Sequence, residues 1–291
     1  MFKIKKTLQV LISLTLANMP LLCVAQEYKL PFKQDEWIKD YPPFRIAGNL
    51  YYVGTDDLAS YLVTTKEGHL LINTGLEESV GQLKKNVETL GFKFSDIRIL
   101  LATHAHYDHV AGMAAIKKAT GATLMIQEAD VQLMKDGGSS DAVLGKYGAS
   151  FAPVVPDRVL KDQEIIKLGD TSLKLLHHPG HTPGASSFAL TVKDQNRSYK
   201  ILIANIPTIL SETKLSGMPG YQQVGKDYGY TLQVMKKEQF DIWVASHGSQ
   251  FNLHKKHKPG QAYRPEAFYG RKDYDKILSE IEATYNRRLQ E

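Results

Sequence analysis

The chain has 291 residues, 43% hydrophobic and 23% charged, which places it among ordinary globular proteins with enough length to bury a sizeable core. Its formal charge of +5 includes three lysines among the first six residues, so the remainder carries about +2, too mild a balance to point to nucleic acid. The one cysteine is Cys23, which excludes disulfides and thiolate metal ligands from everything after it.

Lys3, Lys5 and Lys6 lead into an apolar stretch over 7–22 that closes with Cys23-Val24-Ala25, the pattern of a secretory signal removed after residue 25. A single membrane anchor is the rival. Asn18 and Pro20 interrupt the run, however, and leave it shorter than the roughly 20 apolar residues a span needs. A lipid on Cys23 is the lesser alternative, because Leu21-Leu22 lacks a small residue before it. Residues 26–291 then read as one exported domain, periplasmic after cleavage, with no stable membrane association.

Short apolar runs punctuated by glycine alternate with helix-like patterns, which predicts an α/β architecture. "LYYVG" and "SYLVTTKEGHLLINTG" read as strands, the second broken by a turn at Lys66-Glu67-Gly68. Val80, Leu83, Val87 and Leu90 recur at helical spacing before Gly91. "DIRILLAT" is a buried strand, a helix follows within "VAGMAAIKKATG", and "ATLMIQ" returns as a strand. "DGGSSDAVLGKYG" (136–148) reads as an extended mobile loop. "LKLLHH", "SFALTV", "KILIAN" and "DIWVAS" are further strands, and Tyr274, Ile277, Leu278, Ile281 and Tyr285 mark a C-terminal amphipathic helix.

Three of these runs end in histidines: "ILLAT" in His104-Ala105-His106-Tyr107-Asp108-His109, "LKLLHHPG" in His181, and "IWVAS" in His247. Strand ends along one edge of a sheet can converge on one site. His104 and His106, one residue apart on an extended segment, turn both imidazoles to the same side and can chelate one ion. Asp108 and His109 lie beyond a turn, aimed at a neighbouring point, so two divalent ions roughly 3.5–4 Å apart are stereochemically reasonable. Burying four such groups in six positions without a shared cation leaves costly unpaired charge. His177 and His178 read as packing or supporting residues, His69 has no obvious partner, and His254 and His257 in "HKKHK" read as a solvated turn.

The HxHxDH motif, the "PGHTPG" around His181 and the "ASHGSQF" around His247 resemble the metallo-β-lactamase superfamily, specifically subclass B3. The resemblance runs from about Glu36 to the C-terminal helix, and "GKYG", "LLHHPGHT", "LIAN" and "FDIWVASH" are most similar to the GOB-type branch. It implies an αββα sandwich with two Zn2+ ions at one edge. His104, His106 and His181 would hold the first ion, and Asp108, His109 and His247 the second. GOB-type enzymes usually carry glutamine where this chain has His104, a departure that favours a filled first site.

Relatives with the same motif place a bridging acid or a cysteine between the third and last histidines. Here "KILIAN" offers Asn205 and Ile206, so no protein anion bridges from this strand. Ile206 also stands where many subclass members have one of the serines that help hold the substrate carboxylate; Thr208, a partial substitute for another of them, is the candidate substrate-binding residue. Asn73 replaces a frequent aspartate and is expected to support the turn.

The implied activity is hydrolysis of the β-lactam amide of penicillins, cephalosporins and carbapenems, hence antibiotic resistance. Two cations sharing a water lower its pKa towards neutrality, and Asp108, the catalytic candidate, would ligate the second ion and orient that water. A monomer acting on a small-molecule substrate is expected. The alternative is an exported hydrolase of the same superfamily acting on a thioester or lactone, against which export and the missing bridging acid argue. A non-catalytic zinc-binding protein would close every coordination position, whereas three protein ligands per ion leave room for reaction. A nucleic-acid enzyme lacks the basic, aromatic-rich surface it needs.

Overall fold

The computed structural model describes residues 28–195 and 197–291; the expected signal segment lies outside them. Its twelve described strands are β1 (Phe44–Ala47), β2 (Leu50–Tyr52), β3 (Tyr61–Thr65), β4 (Gly68–Ile72), β5 (Ile97–Leu101), β6 (Thr123–Gln127), β7 (Arg158–Leu160), β8 (Ile165–Leu168), β9 (Thr171–His177), β10 (Ser186–Asp194), β11 (Arg197–Ala204) and β12 (Ile242–Ala245). The helices are α1 (Val80–Thr89), α2 (Tyr107–Val110), α3 (Met113–Thr120), α4 (Val131–Asp136), α5 (Val224–Met235), α6 (Leu253–Lys256) and α7 (Lys272–Arg288). None of the described helices is long and apolar enough to cross a membrane.

Two sheets form, one ordered β1 to β7 in sequence and the other ordered β12-β11-β10-β9-β8. In the first, an antiparallel meander over β1–β4 gives way to parallel pairs from β4 through β7. Parallel strands need crossover helices, and α1 and α3 supply them between β4, β5 and β6. In the second, β8 to β11 run antiparallel, and α5 carries the chain back so that β12 lies parallel to β11.

Side-chain alternation assigns the faces. Leu70, Ile72, Ile99 and Leu101 point at the second sheet and share one core with Leu175, Phe188, Ile201 and Val244. Their neighbours Leu71, Leu100 and Ile126 point the other way, into a core with Leu83 and Val87 of α1 and Met113 and Ile116 of α3, which Ile97 joins across a register shift in the β4–β5 pairing. β4 is buried at all five positions because both of its faces are covered, which is why Leu70, Leu71 and Ile72 are apolar in succession rather than alternating with polar residues. Outside the second sheet, α7 lays Tyr274 against Trp243, ring centroids 5.2 Å apart. The result is the expected αββα sandwich.

Strands expected from the sequence all form. β1, β7, β8 and the helices α2, α4, α5 and α6 are additions, the three strands because runs of three or four residues carry too little periodicity to read. Two expectations are corrected. Residues 136–148 are not an extended loop: they fold into consecutive tight turns, with Gly138, Asp141 and Gly145 linked by backbone hydrogen bonds of 3.0–3.1 Å. His257 is not solvated either, since its ring stacks on Phe44 at 3.6 Å between centroids and bonds to the Tyr41 hydroxyl at 3.0 Å. Local positive charge misled the reading there, because the long-range aromatic partners are invisible in "HKKHK".

Beneath the second sheet's edge, Ser187 Oγ accepts from Asn205 N–H at 2.9 Å and donates to His178 Nδ1 at 2.7 Å. Burial pushes the His178 pKa down from 6.5 to about 3, with the neighbouring His177 adding to the drop. The ring stays neutral in the fold while the unfolded chain takes up its proton, so stability present above pH 6.5 is lost as pH falls towards 3. One extra proton bound on unfolding steepens that loss by roughly 1.4 kcal/mol per pH unit. His178→Gln is expected to flatten the slope by about that amount, measured by urea unfolding at several pH values between 7 and 4; an unchanged slope contradicts the assignment.

Candidate metal centre

The histidine-bearing segments meet where the two sheets abut. β5 delivers 102–109 from the first sheet, while β9 and β12, parallel to one another in the second, deliver the His181 loop and His247. The expectation of a single sheet edge is thus corrected: the site is built at the shared rim of both layers. Thr103 ties them together. Its N–H donates to Asn73 Oδ1 at 2.9 Å, its carbonyl accepts from Ser186 N–H at 2.7 Å, and its hydroxyl accepts from Ser246 Oγ at 3.0 Å. Asn73 reaches Thr103 from a left-handed backbone conformation (φ 61°), the turn-supporting role expected of it.

The imidazoles of His104, His106 and His181 form a triangle with ring centroids 4.6–4.8 Å apart. His106 Nδ1 lies 3.2 Å from His181 Nε2. On the other side of His104, 4.4 Å away between centroids, sits His109, and beyond it His247 at 4.9 Å. Asp108 Oδ2 lies 3.3 Å from His109 Nε2 and 3.4 Å from His247 Nε2. All six sequence-predicted ligands are therefore brought together.

Two overlapping sets, His104/His106/His181 and His104/Asp108/His109, have donor atoms within 4.8 Å of one another, close enough to hold an ion. Three nitrogens in the cluster, His104 Nε2 and both of His109, are buried without a hydrogen-bond partner among the described residues. Such groups are expensive to bury unless something completes them, and a divalent cation does. The residues fit a metal.

Acceptors behind three of the rings fix which nitrogen is free. His181 Nδ1 donates to the Thr208 carbonyl at 2.8 Å, His247 Nδ1 to Asp57 at 2.9 Å, and His106 Nε2 to Asp141 at 3.1 Å. Each turns its other nitrogen into the cluster, the atom that can ligate once the ring is neutral. Burial, with repulsion from neighbouring rings, holds His104 well below its usual range and His181 at about 3. His109 is also lowered by burial, despite Asp108. Burial acts the same way on His247, but Asp108 and Asp57 overcome it and raise the ring to about 9. Asp108 itself is held well below the carboxylate range, because His109 and His247 outweigh burial.

Asp57, Asp130 and Asp141 were not read from the sequence, because no motif surrounds any of them. Asp57 also accepts from Ser249 N–H at 2.8 Å, clamping the turn that carries His247. Asp130 is fully buried and accepts from Ala105 N–H (2.9 Å), Gly184 N–H (2.7 Å) and Thr182 Oγ (2.8 Å), joining the two ligand loops through one side chain. A side chain at Gly184 would place its Cβ 2.6 Å from Asp130 Cγ, so only glycine permits this approach.

Thr208 lies at the rim with its hydroxyl 3.3 Å from His181 Nδ1. Ile206 is buried in the core between the sheets, and Asn205 is buried with its amide nitrogen unpartnered. A cavity of about 290 Å³ opens over His106, Asp108, His181 and His247, walled by Trp37 and Leu144 among others. A larger one of about 590 Å³ surrounds His69 and Phe92 at the other end of β4 and shares none of this lining; with no ligand cluster it is not the chemical site.

Asp130→Ala would strand three buried donors at about 1–3 kcal/mol each. The expected cost is about 3–5 kcal/mol of stability, read from the urea midpoint. A loss below about 1 kcal/mol contradicts the clamp.

Residues 54–194 match the metallo-beta-lactamase superfamily. Among solved structures, a beta-lactamase from Chitinophaga pinensis is 56% identical, covering 89% of this chain and 98% of its own, with a TM-score of 0.88. A class B3 di-zinc metallo-beta-lactamase from an Alaskan soil metagenome is 54% identical over 90% of this chain and 100% of that one, TM-score 0.88. GOB-18 from Elizabethkingia meningoseptica is 50% identical over 91% and 99%, TM-score 0.89. Curated relatives match less of the chain: a probable metallo-hydrolase of Methanocaldococcus jannaschii is 30% identical and is spanned for 72% of its length, others for 56% or less.

Proposed function

Because this chain belongs to the metallo-β-lactamase superfamily, with a subclass B3 enzyme 54% identical along nearly its full length, we propose that it hydrolyses the β-lactam amide of penicillins, cephalosporins and carbapenems and so confers resistance to them. The observation that carries the reading is the meeting of six metal-competent side chains at the sandwich rim, in a chain 54% identical to a class B3 di-zinc enzyme over 90% of its length. His104, His106 and His181 are assigned to one zinc ion; Asp108, His109 and His247 are assigned to a second. His247 joins the second set through the Asp108 oxygen that it shares with His109. Zinc, when bound, supplies Lewis acidity and brings a water pKa down from about 15.7 towards 7.

What the protein contributes is position. The Thr208 carbonyl, Asp57 and Asp141 fix the ring orientations of His181, His247 and His106, so that the remaining nitrogens face the cluster without reorganisation. Asp108, kept ionised by its two histidine neighbours, is the anionic ligand and the group placed to orient the attacking water. Substrate enters the cavity over these residues, where Trp37 and Leu144 offer apolar contact and Thr208 a hydroxyl. Ile206, sealed in the core, holds no substrate carboxylate.

Export belongs to the same reading: residues 1–25 as a removed leader and 26–291 as the catalytic unit, acting as a monomer in the periplasm, with a cysteine-free mature chain suited to an oxidising compartment.

The test is an assay of the mature protein on a penicillin, a cephalosporin, a carbapenem and a glutathione thioester, with and without chelator. β-Lactam hydrolysis that disappears with chelator and returns with zinc is expected. Thioester turnover with every β-lactam intact overturns the proposal. Replacing His106 or His181 by alanine should lower kcat/KM by at least about a hundredfold with the circular dichroism spectrum unchanged; full activity in either variant contradicts the ligand assignment.

A further inference from the structure

The Asp141 carboxylate has two jobs in the structure, one per oxygen. Oδ2 takes the His106 Nε2 hydrogen bond at 3.1 Å. Oδ1 accepts from the backbone N–H groups of Val143 and Leu144, at 2.8 and 2.6 Å, closing the turn that they begin. Leu144 forms part of the wall of the cavity over the histidines, and Val143 packs against the separate apolar cluster of Leu215, Met218 and Tyr221. One side chain thus connects a ring of the metal cluster to a wall of the pocket above it.

We propose that Asp141 is a positioning residue that couples the metal centre to the pocket wall, so that ordering His106 on an ion also orders residues 141–148, and loosening that segment weakens the hold on the ion. The proposal rests on reading His106 as a metal ligand. The coupling needs a carboxylate, because both of its oxygens must accept. An amide has one acceptor oxygen, so Asp141→Asn either faces its NH2 to His106 Nε2–H or faces it to the two backbone donors, and one arm is lost. Coupling of this kind is reciprocal: whatever zinc does for the segment, the segment does for zinc affinity.

The experiment is hydrogen exchange of residues 141–148, followed by mass spectrometry on wild type and Asp141→Asn with and without zinc, together with zinc affinity by chelator competition. In wild type, zinc is expected to slow exchange of this segment several-fold. In Asp141→Asn the zinc-dependent slowing disappears and zinc affinity falls about 10- to 100-fold, while Asp141→Glu, which keeps a carboxylate, restores part of both. A wild-type segment indifferent to zinc, or an Asp141→Asn variant with the wild-type response, overturns the proposal. So does a metal-free variant that melts far below wild type, which would mark Asp141 as a merely structural residue. A wild type that binds zinc yet leaves every β-lactam intact defeats the hydrolase reading alone, since exchange and chelator competition require no turnover.

Discussion

The structure depends on keeping several imidazole nitrogens unprotonated, buried and pointed at a common centre. Left to themselves these rings repel, and burial penalises their charged forms, which is why His104 and His181 are driven far below the usual range. An arrangement of this kind is costly in a protein without a cation and stabilising with one. The fold carries that cost through the hydrogen-bond acceptors behind the rings. Asp57, Asp141 and the Thr208 carbonyl each hold one nitrogen so that the other must face inward.

That requirement explains the architecture around the site. The ligands come from two sheets whose strands do not pair with each other, so something has to set their relative position at the rim. Thr103 does so by contacting Asn73 on its own sheet and Ser186 and Ser246 on the other. Asp130 repeats the device one layer out, pinning Ala105 of the first ligand loop to Thr182 and Gly184 of the second. The apolar sandwich supplies stability in bulk; these few polar pegs supply the register that the metal chemistry needs.

How much of this the sequence shows follows from how local each signal is. The cluster from His104 to His109 is legible because four chemically rare choices fall within six residues. His181 and His247 are legible because each closes an apolar run beside glycine. The sequence's continuous apolar strands likewise announce a covered sheet. What stays hidden depends on partners far away in the chain: Asp57 serves His247 across 190 positions, and Asp141 serves His106 across 35. The glycines and serines of 136–148 suggested mobility because the carboxylate that folds them can be recognised only beside its histidine. His257 failed similarly, since its stacking partner Phe44 is more than two hundred residues distant.

The central claim is that the rim of the sandwich is a two-ion centre whose halves share His104 as a neighbour but not as a ligand. Metal analysis of protein saturated with zinc and then desalted tests this most directly, on wild type and on variants lacking one ligand from each set, His181→Ala and His247→Ala. The account predicts two tightly held ions per wild-type chain and one in each variant. A wild type that retains a single ion, or variants that retain both, would contradict it.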